Sequence, residues 1–64
     1  MRDITFKKQL LGQWRRDDGE SKKLVNEESM FREVTKLQHD GWTIRSYGVK
    51  LLRMVVAEPP NQAA

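Results

Sequence analysis

The residues best suited to chemistry in this sequence are cations beside an aromatic ring, and they favour binding over catalysis. Trp14 is followed by Arg15 and Arg16, and Lys22 and Lys23 come after a short polar segment. An indole ring flanked by cations can stack on a base while the cations contact phosphates. Because acidic residues lie between the two basic pairs and neutralise them locally, a solvated loop is the simpler interpretation.

Two other groups could hold a metal or act in catalysis, and both lack the partners they would need. The segment DDGE at 17–20 lacks the alternating oxygen ligands of a calcium loop, so we interpret it as a solvated turn. His39 and Asp40 are adjacent, but no nucleophile motif accompanies them, and a cation is favourable at the end of a helix. With no cysteine and one histidine, the chain cannot build a thiolate zinc site. We expect no enzymatic activity, no catalytic residue, no metal and no cofactor.

A third group comes from the alternation after residue 41, in the stretch GWTIRSYGVKLLRMVV. If Trp42, Ile44, Met54 and Val56 face a helix, the opposite face carries Thr43, Arg45, Tyr47, Arg53 and Val55. The pattern leaves the register of the last strand open, and a slip of one residue would exchange the two faces. The candidate partner-binding residues are Arg45, Tyr47, Arg53, Lys50, Lys7, Trp14, Arg15 and Arg16.

The element that must position these residues is a helix predicted over about 27–40. Asn26 can cap its first turn, and two glutamates follow at the positive end of the helix dipole. Gly41 can end it in a left-handed conformation, after which Trp42 should pack back on Leu37.

Strands are predicted over about 3–14, 42–48 and 50–57. Residues 4–14 could also form a helix, because three large apolar side chains recur every four residues, but Gly12 weakens a helix interior. Residues 15–23 are predicted to form a polar loop, with 22–25 as a possible further short strand. The expected fold is a small α+β domain of β-α-β-β order. Its helix packs on one face of a three-stranded sheet.

The order of elements and the glycine–tryptophan pair resemble a group of small bacterial and phage proteins known only as domains of unknown function. The resemblance covers about residues 24–58. It supports the fold and implies no activity. The matching residues are Leu37, Gly41, Trp42, Ile44 and the apolar run 51–56.

Size and composition limit the remaining possibilities. The chain has 64 residues and a net charge of +3, so we expect a single domain over 1–58 and a disordered tail over 59–64. A domain this small is marginally stable, which favours reinforcement by a partner. The longest apolar runs fall short of the roughly 18 residues of a membrane span. The N-terminus lacks the apolar core of a signal peptide. We therefore expect a cytoplasmic protein with no membrane partner.

Two functions from different classes follow from these features. The first is a non-enzymatic protein-interaction module, such as a phage- or plasmid-type accessory inhibitor or adaptor, whose open sheet face docks on itself or on a partner protein. The second is a small basic nucleic-acid-binding protein that uses the same face and the Arg15/Arg16 corner. A homodimer or a larger protein partner is expected in the first case.

Overall fold

The computed structural model describes residues 2–60, which form five strands and one helix. The strands make one antiparallel sheet in the order β3-β2-β1-β5-β4. The helix therefore links the two edge strands and crosses one face of the sheet. The elements are β1 (Ile4–Lys8), β2 (Gln13–Asp17), β3 (Lys22–Asn26), α1 (Glu27–His39), β4 (Thr43–Tyr47) and β5 (Met54–Glu58).

The prediction of an α+β fold is confirmed, but the prediction of three strands is wrong. Residues 3–14 form two strands because the chain reverses at Leu11 and Gly12, whose φ angles are 62° and 72°. Residues 22–26 add the edge strand that the sequence had only suggested. Residues 50–52 form a short 3₁₀ turn before the last strand begins. The alternation of residues over 4–14 continues through this tight turn, so the pattern could not reveal that the chain reverses at Leu11 and Gly12.

The ends of α1 follow from local hydrogen bonding, as predicted. The Asn26 side chain accepts a hydrogen bond of 2.7 Å from the Ser29 amide. At the other end Gly41 has a φ of 97°, which a residue with a side chain adopts only at a cost. The Trp42 amide donates to the Leu37 carbonyl at 2.9 Å and the Gly41 amide to the Gln38 carbonyl at 3.1 Å. This pair of bonds is the Schellman motif.

The core lies between the sheet and α1. Its buried residues come from four elements, and further half-buried side chains pack around them. Val55 and Ala57 of β5 belong to this core, so Met54 and Val56 point to the other face. The orientation considered for β5 in the sequence was therefore shifted by one residue. The buried residues are Ile4, Phe6, Trp14, Met30, Val55 and Ala57.

The chain continues past β5 along the end of the helix. Pro59 and Pro60 are half-buried, and the Cγ atom of Pro60 lies 3.6 Å from the position a Cβ would take on Gly41. The rest of the tail predicted over 59–64 lies outside the described residues. Within residues 2–60 there is no helix long and apolar enough to cross a membrane.

Candidate functional site

The face of the sheet opposite α1 is here called the open face. No other part of residues 2–60 covers it. The strand registers place five side chains in a line across it, which we call the central row. An edge leucine begins the row, two cations occupy its middle, and an apolar and an aromatic side chain complete it. From β3 to β4 the central row is Leu24, Arg15, Lys7, Met54 and Tyr47.

Lys7 and Arg15 form a pair of like charges at the middle of the open face. They are directly opposite each other in the β1–β2 register, and both are exposed. Within residues 2–60 neither side chain makes a hydrogen bond or an ion pair, and the central row contains no carboxylate. Like charges placed directly across two strands destabilise a sheet. The pair is therefore an uncompensated positive site that can accept an anionic group.

The neighbouring row of the open face has its charges balanced. It runs Lys22, Asp17, Thr5, Val56 and Arg45. Asp17 lies beside the Lys22 cation, and the Arg45 Nε donates to a Glu58 carboxylate oxygen at 2.9 Å. That hydrogen bond raises the pKa of Arg45. The free positive charge of this face is thus concentrated on Lys7 and Arg15.

A groove of about 440 Å³, here called the corner groove, lies where the open face meets the β4–β5 connection. Three of the predicted binding residues, Lys7, Tyr47 and Arg53, line it together. No carboxylate lines the groove. The full lining is Lys7, Lys8, Gln9, Tyr47, Gly48, Leu51, Leu52, Arg53 and Met54.

Two predicted binding residues lie elsewhere and are removed from the candidate surface. Trp14 is 1% exposed and packs in the core, so its indole cannot stack on a partner. The Arg16 Nε donates to both carboxylate oxygens of Glu33 at 2.9 Å, and its Nη1 donates to Asp18 at 3.0 Å. These contacts, the Glu33 bond first, raise the pKa of Arg16. The side chains of Arg15 and Arg16 therefore lie on opposite faces of the sheet, with Arg15 on the open face and Arg16 against the helix.

The remaining predicted residues lie near the edge of the open face or at its end. Arg45 is on the face but bound to Glu58. Lys50 is in the β4–β5 connection with a φ of 54°. Leu24 was not among the predicted binding residues, because residues 22–25 were considered only as a possible short strand after a polar loop. In β3, Val25 is half-buried and the other four residues are exposed, so no alternation of apolar and polar residues marked Leu24 in the sequence.

The acidic segment 17–20 is a hydrogen-bonded turn, which agrees with its interpretation as a solvated loop. The Asp18 carboxylate accepts from the Glu20 and Ser21 amides at 2.9 Å. These bonds, together with Arg16, lower the pKa of Asp18 from 3.8 to about 2. Residues 2–60 contain no group of three or more side chains that could hold a metal ion.

The geometry thus defines a small α+β domain that presents an open, centrally basic sheet face. No family model matches the chain, and no match was found among curated proteins or solved structures.

Proposed function

We propose that this protein is a non-enzymatic interaction module that docks its open face on an acidic surface of another protein, as an accessory inhibitor or adaptor would. The observation that carries the proposal is the uncompensated Lys7–Arg15 pair at the middle of the central row. Its repulsion is relieved when carboxylates of a partner lie between the two cations. Charge-assisted hydrogen bonds to carboxylates are among the stronger polar contacts in interfaces.

The side chains around the pair supply the apolar part of such an interface. Leu24 is 54% exposed and Tyr47 is 47% exposed, while Met54 is half-buried between the strands. Arg, Tyr and Met are enriched in protein interfaces. The backbone under them is paired in a sheet, so docking orders few additional residues.

The charge of the open face favours a different protein over a second copy of this chain. Face-to-face stacking of two copies would bring two Lys7–Arg15 pairs together, and like charges juxtaposed in an interface cost several kcal/mol. The homodimer expected as one possibility is therefore not the form of docking that we propose. A partner that binds only the folded chain would also stabilise this small domain.

The test is a pull-down from host lysate with the tagged protein, with and without nuclease. Arg15→Glu places a negative charge in the middle of the central row, and Lys36→Glu is the matched control on the exposed helix surface. We expect a protein that resists nuclease and is retained by wild type and Lys36→Glu, but not by Arg15→Glu. Titration of that protein should show at least about tenfold weaker binding for Arg15→Glu.

Two results would contradict the proposal. One is equal retention of the captured protein by Arg15→Glu and Lys36→Glu. The other is capture that disappears after nuclease treatment, which would identify nucleic acid as the ligand.

Nucleic acid is a second candidate because Lys7, Arg15 and Tyr47 share the central row, which places cations near a ring that can stack. Against it, Tyr47 is the one aromatic side chain of the described open face, whereas RNA-binding sheets use two or three. Fluorescence anisotropy with mixed DNA and RNA oligonucleotides at low salt tests this candidate. If nucleic acid is the ligand, binding must weaken steeply as the salt concentration is raised. No change in anisotropy at low salt would exclude this candidate.

A further inference from the structure

A group of exposed aliphatic side chains lies at one end of the sheet, outside the central row. They come from the β1–β2 connection and the β4–β5 connection. Each is at least 59% exposed, and Leu11 is 97% exposed. Scattered exposed leucines are ordinary, but a contiguous apolar group marks a contact surface. We call this group the apolar tip, and its members are Leu10, Leu11, Val49, Leu51 and Leu52.

The strand pairing brings the two connections together. β1 and β5 are antiparallel, so the end of β1 is beside the beginning of β5. The Lys8 amide donates to the Arg53 carbonyl at 2.9 Å, which joins the bases of the two connections. The tip is therefore a pair of adjacent projecting turns, and its side chains extend from a paired sheet.

Each turn contains a non-glycine residue in the left-handed region, Leu11 with φ of 62° and Lys50 with φ of 54°. This conformation costs a residue with a side chain about 1–2 kcal/mol. Turns of this kind usually use glycine, asparagine or aspartate. Leu11 is almost fully exposed, so packing within residues 2–60 does not offset this cost.

Positive charge surrounds the tip and acidic residues avoid it. Residues 4–16 and 41–57 contain no aspartate or glutamate. The cations at the base of the tip are Lys7, Lys8, Lys50 and Arg53. At the start of the helix, Glu27 lies 3.7 Å from Lys8, and Glu28 is paired with Arg32. The tip thus combines aliphatic side chains with a basic collar. Lys8 of this collar is paired with Glu27, whereas Lys7, Lys50 and Arg53 make no ion pair within residues 2–60.

We infer that the apolar tip docks on an anionic lipid surface, with its aliphatic side chains in the interfacial region and its basic collar at the headgroups. Buried aliphatic area and attraction to anionic lipids are the two contributions that hold a peripheral protein at a membrane. Such a contact needs no spanning helix. The expectation of no membrane partner rested on the lack of a long apolar run, which does not bear on this kind of contact.

The chemistry of the tip favours lipid over the other possible occupants. Leucine and valine are under-represented among the residues that dominate protein interfaces, and all five tip residues are of these two types. Two tips from two copies would bring two basic collars together, which opposes end-to-end dimerisation. A bilayer with anionic headgroups complements both the shape and the charge.

Vesicle sedimentation tests the inference with the full chain. We expect the protein to sediment with an equimolar mixture of phosphatidylcholine and phosphatidylserine, more than with phosphatidylcholine alone, and less as salt is added. The double variant Leu11→Asn/Leu52→Ser should lower the partition coefficient by about tenfold or more, because each leucine contributes a full side chain of apolar surface. The control is Leu24→Ser, which removes an exposed leucine from the open face and should leave partitioning unchanged.

A second variant keeps the inference testable if the double variant fails to fold by circular dichroism. Lys50→Glu should weaken binding to the phosphatidylserine vesicles by at least about fivefold, whereas Lys36→Glu on the helix should not. No sedimentation of wild type with phosphatidylserine would overturn the inference, as would an equal loss for Leu24→Ser. The inference would also be overturned if wild type self-associated without binding vesicles and the tip variants lost that self-association. Arg15 takes no part in this test, so failure here leaves the proposed docking of the open face untouched.

Discussion

The Arg16 guanidinium of β2 donates hydrogen bonds to the Glu33 carboxylate of α1. Its Nε lies 2.9 Å from both carboxylate oxygens, and its Nη2 lies 2.8 Å from one of them. The Arg16 side chain is only 14% exposed and that of Glu33 is 30% exposed. This contact joins the sheet to the helix on the side away from the open face, so it orients the scaffold under the candidate site.

Removing the Arg16–Glu33 contact should destabilise the fold. Glu33→Ala leaves the half-buried guanidinium without its main acceptor, and we expect a loss of about 1–3 kcal/mol in the free energy of unfolding. A double-mutant cycle with Arg16→Ala, measured by urea denaturation, gives the coupling energy. The exposed pair Glu28 and Arg32 is the control, and its coupling should stay below about 1 kcal/mol. Equal coupling for the two pairs would contradict the structural role.

The low pKa of Asp18 predicts a loss of stability in acid. Folding lowers this pKa from 3.8 to about 2, so the folded state favours the carboxylate. The contribution is fully present above pH 3.8 and is lost as the pH falls toward 2. We expect the urea midpoint of wild type to fall across this interval and that of Asp18→Asn to fall less. Asp3→Asn removes one carboxylate without touching the turn and serves as the control. Parallel curves for wild type and Asp18→Asn would disprove the assignment.

Trp14 is predicted to be a folding residue. It is 1% exposed, and its indole N–H has no acceptor among the described residues, while the Lys8 Nζ lies 5.3 Å from the ring centre. Trp14→Ala should cost about 3–5 kcal/mol. A chain of this length has a total stability of about 3–10 kcal/mol, so the variant should be largely unfolded by circular dichroism.

Trp14→Phe should be milder, because it keeps an aromatic ring in the core and removes the unpaired indole N–H. Phe31→Ala is the control, since Phe31 is 53% exposed on α1, and surface changes usually stay within about 0.5 kcal/mol. A folded Trp14→Ala with a near-native melting curve would show that the ring is not part of the core.

The Lys7–Arg15 pair predicts an increase in stability when one charge is reversed. Arg15→Glu replaces a repulsive cross-strand pair with an attractive one, and the expected gain is about 0.2–1 kcal/mol by urea denaturation. The gain should shrink at high salt, because both side chains are exposed. The same variant should lose partner binding, because wild type retains a pair of cations that lowers its stability but contacts the partner. A destabilised Arg15→Glu would show that the two cations do not repel each other in the folded protein.

Local signals predicted the helix well. The Asn26 cap and the Gly41–Trp42 stop depend on neighbouring residues, so the bounds of α1 were within one residue of the prediction. The fold class followed from the change of period after Gly41. The strand count was wrong for two reasons. The chain reverses at Leu11, a residue type that carries no turn signal, and residues 22–25 were considered only as a possible strand. Arg16 and Trp14 were misplaced because contacts with the helix, distant in sequence, decide which side of β2 is buried.

The sequence by itself determined where the helix begins and ends. Its composition alone also showed that the chain has no cysteine and a small excess of basic residues. These properties depend on composition or on hydrogen bonds between neighbours, and they hold in any tertiary arrangement. Only the tertiary structure decided the register of β5, the pairing of Lys7 with Arg15 and the meeting of the two aliphatic turns. Each of these depends on strand order, because a shift of one residue in an antiparallel pair exchanges the faces of the sheet.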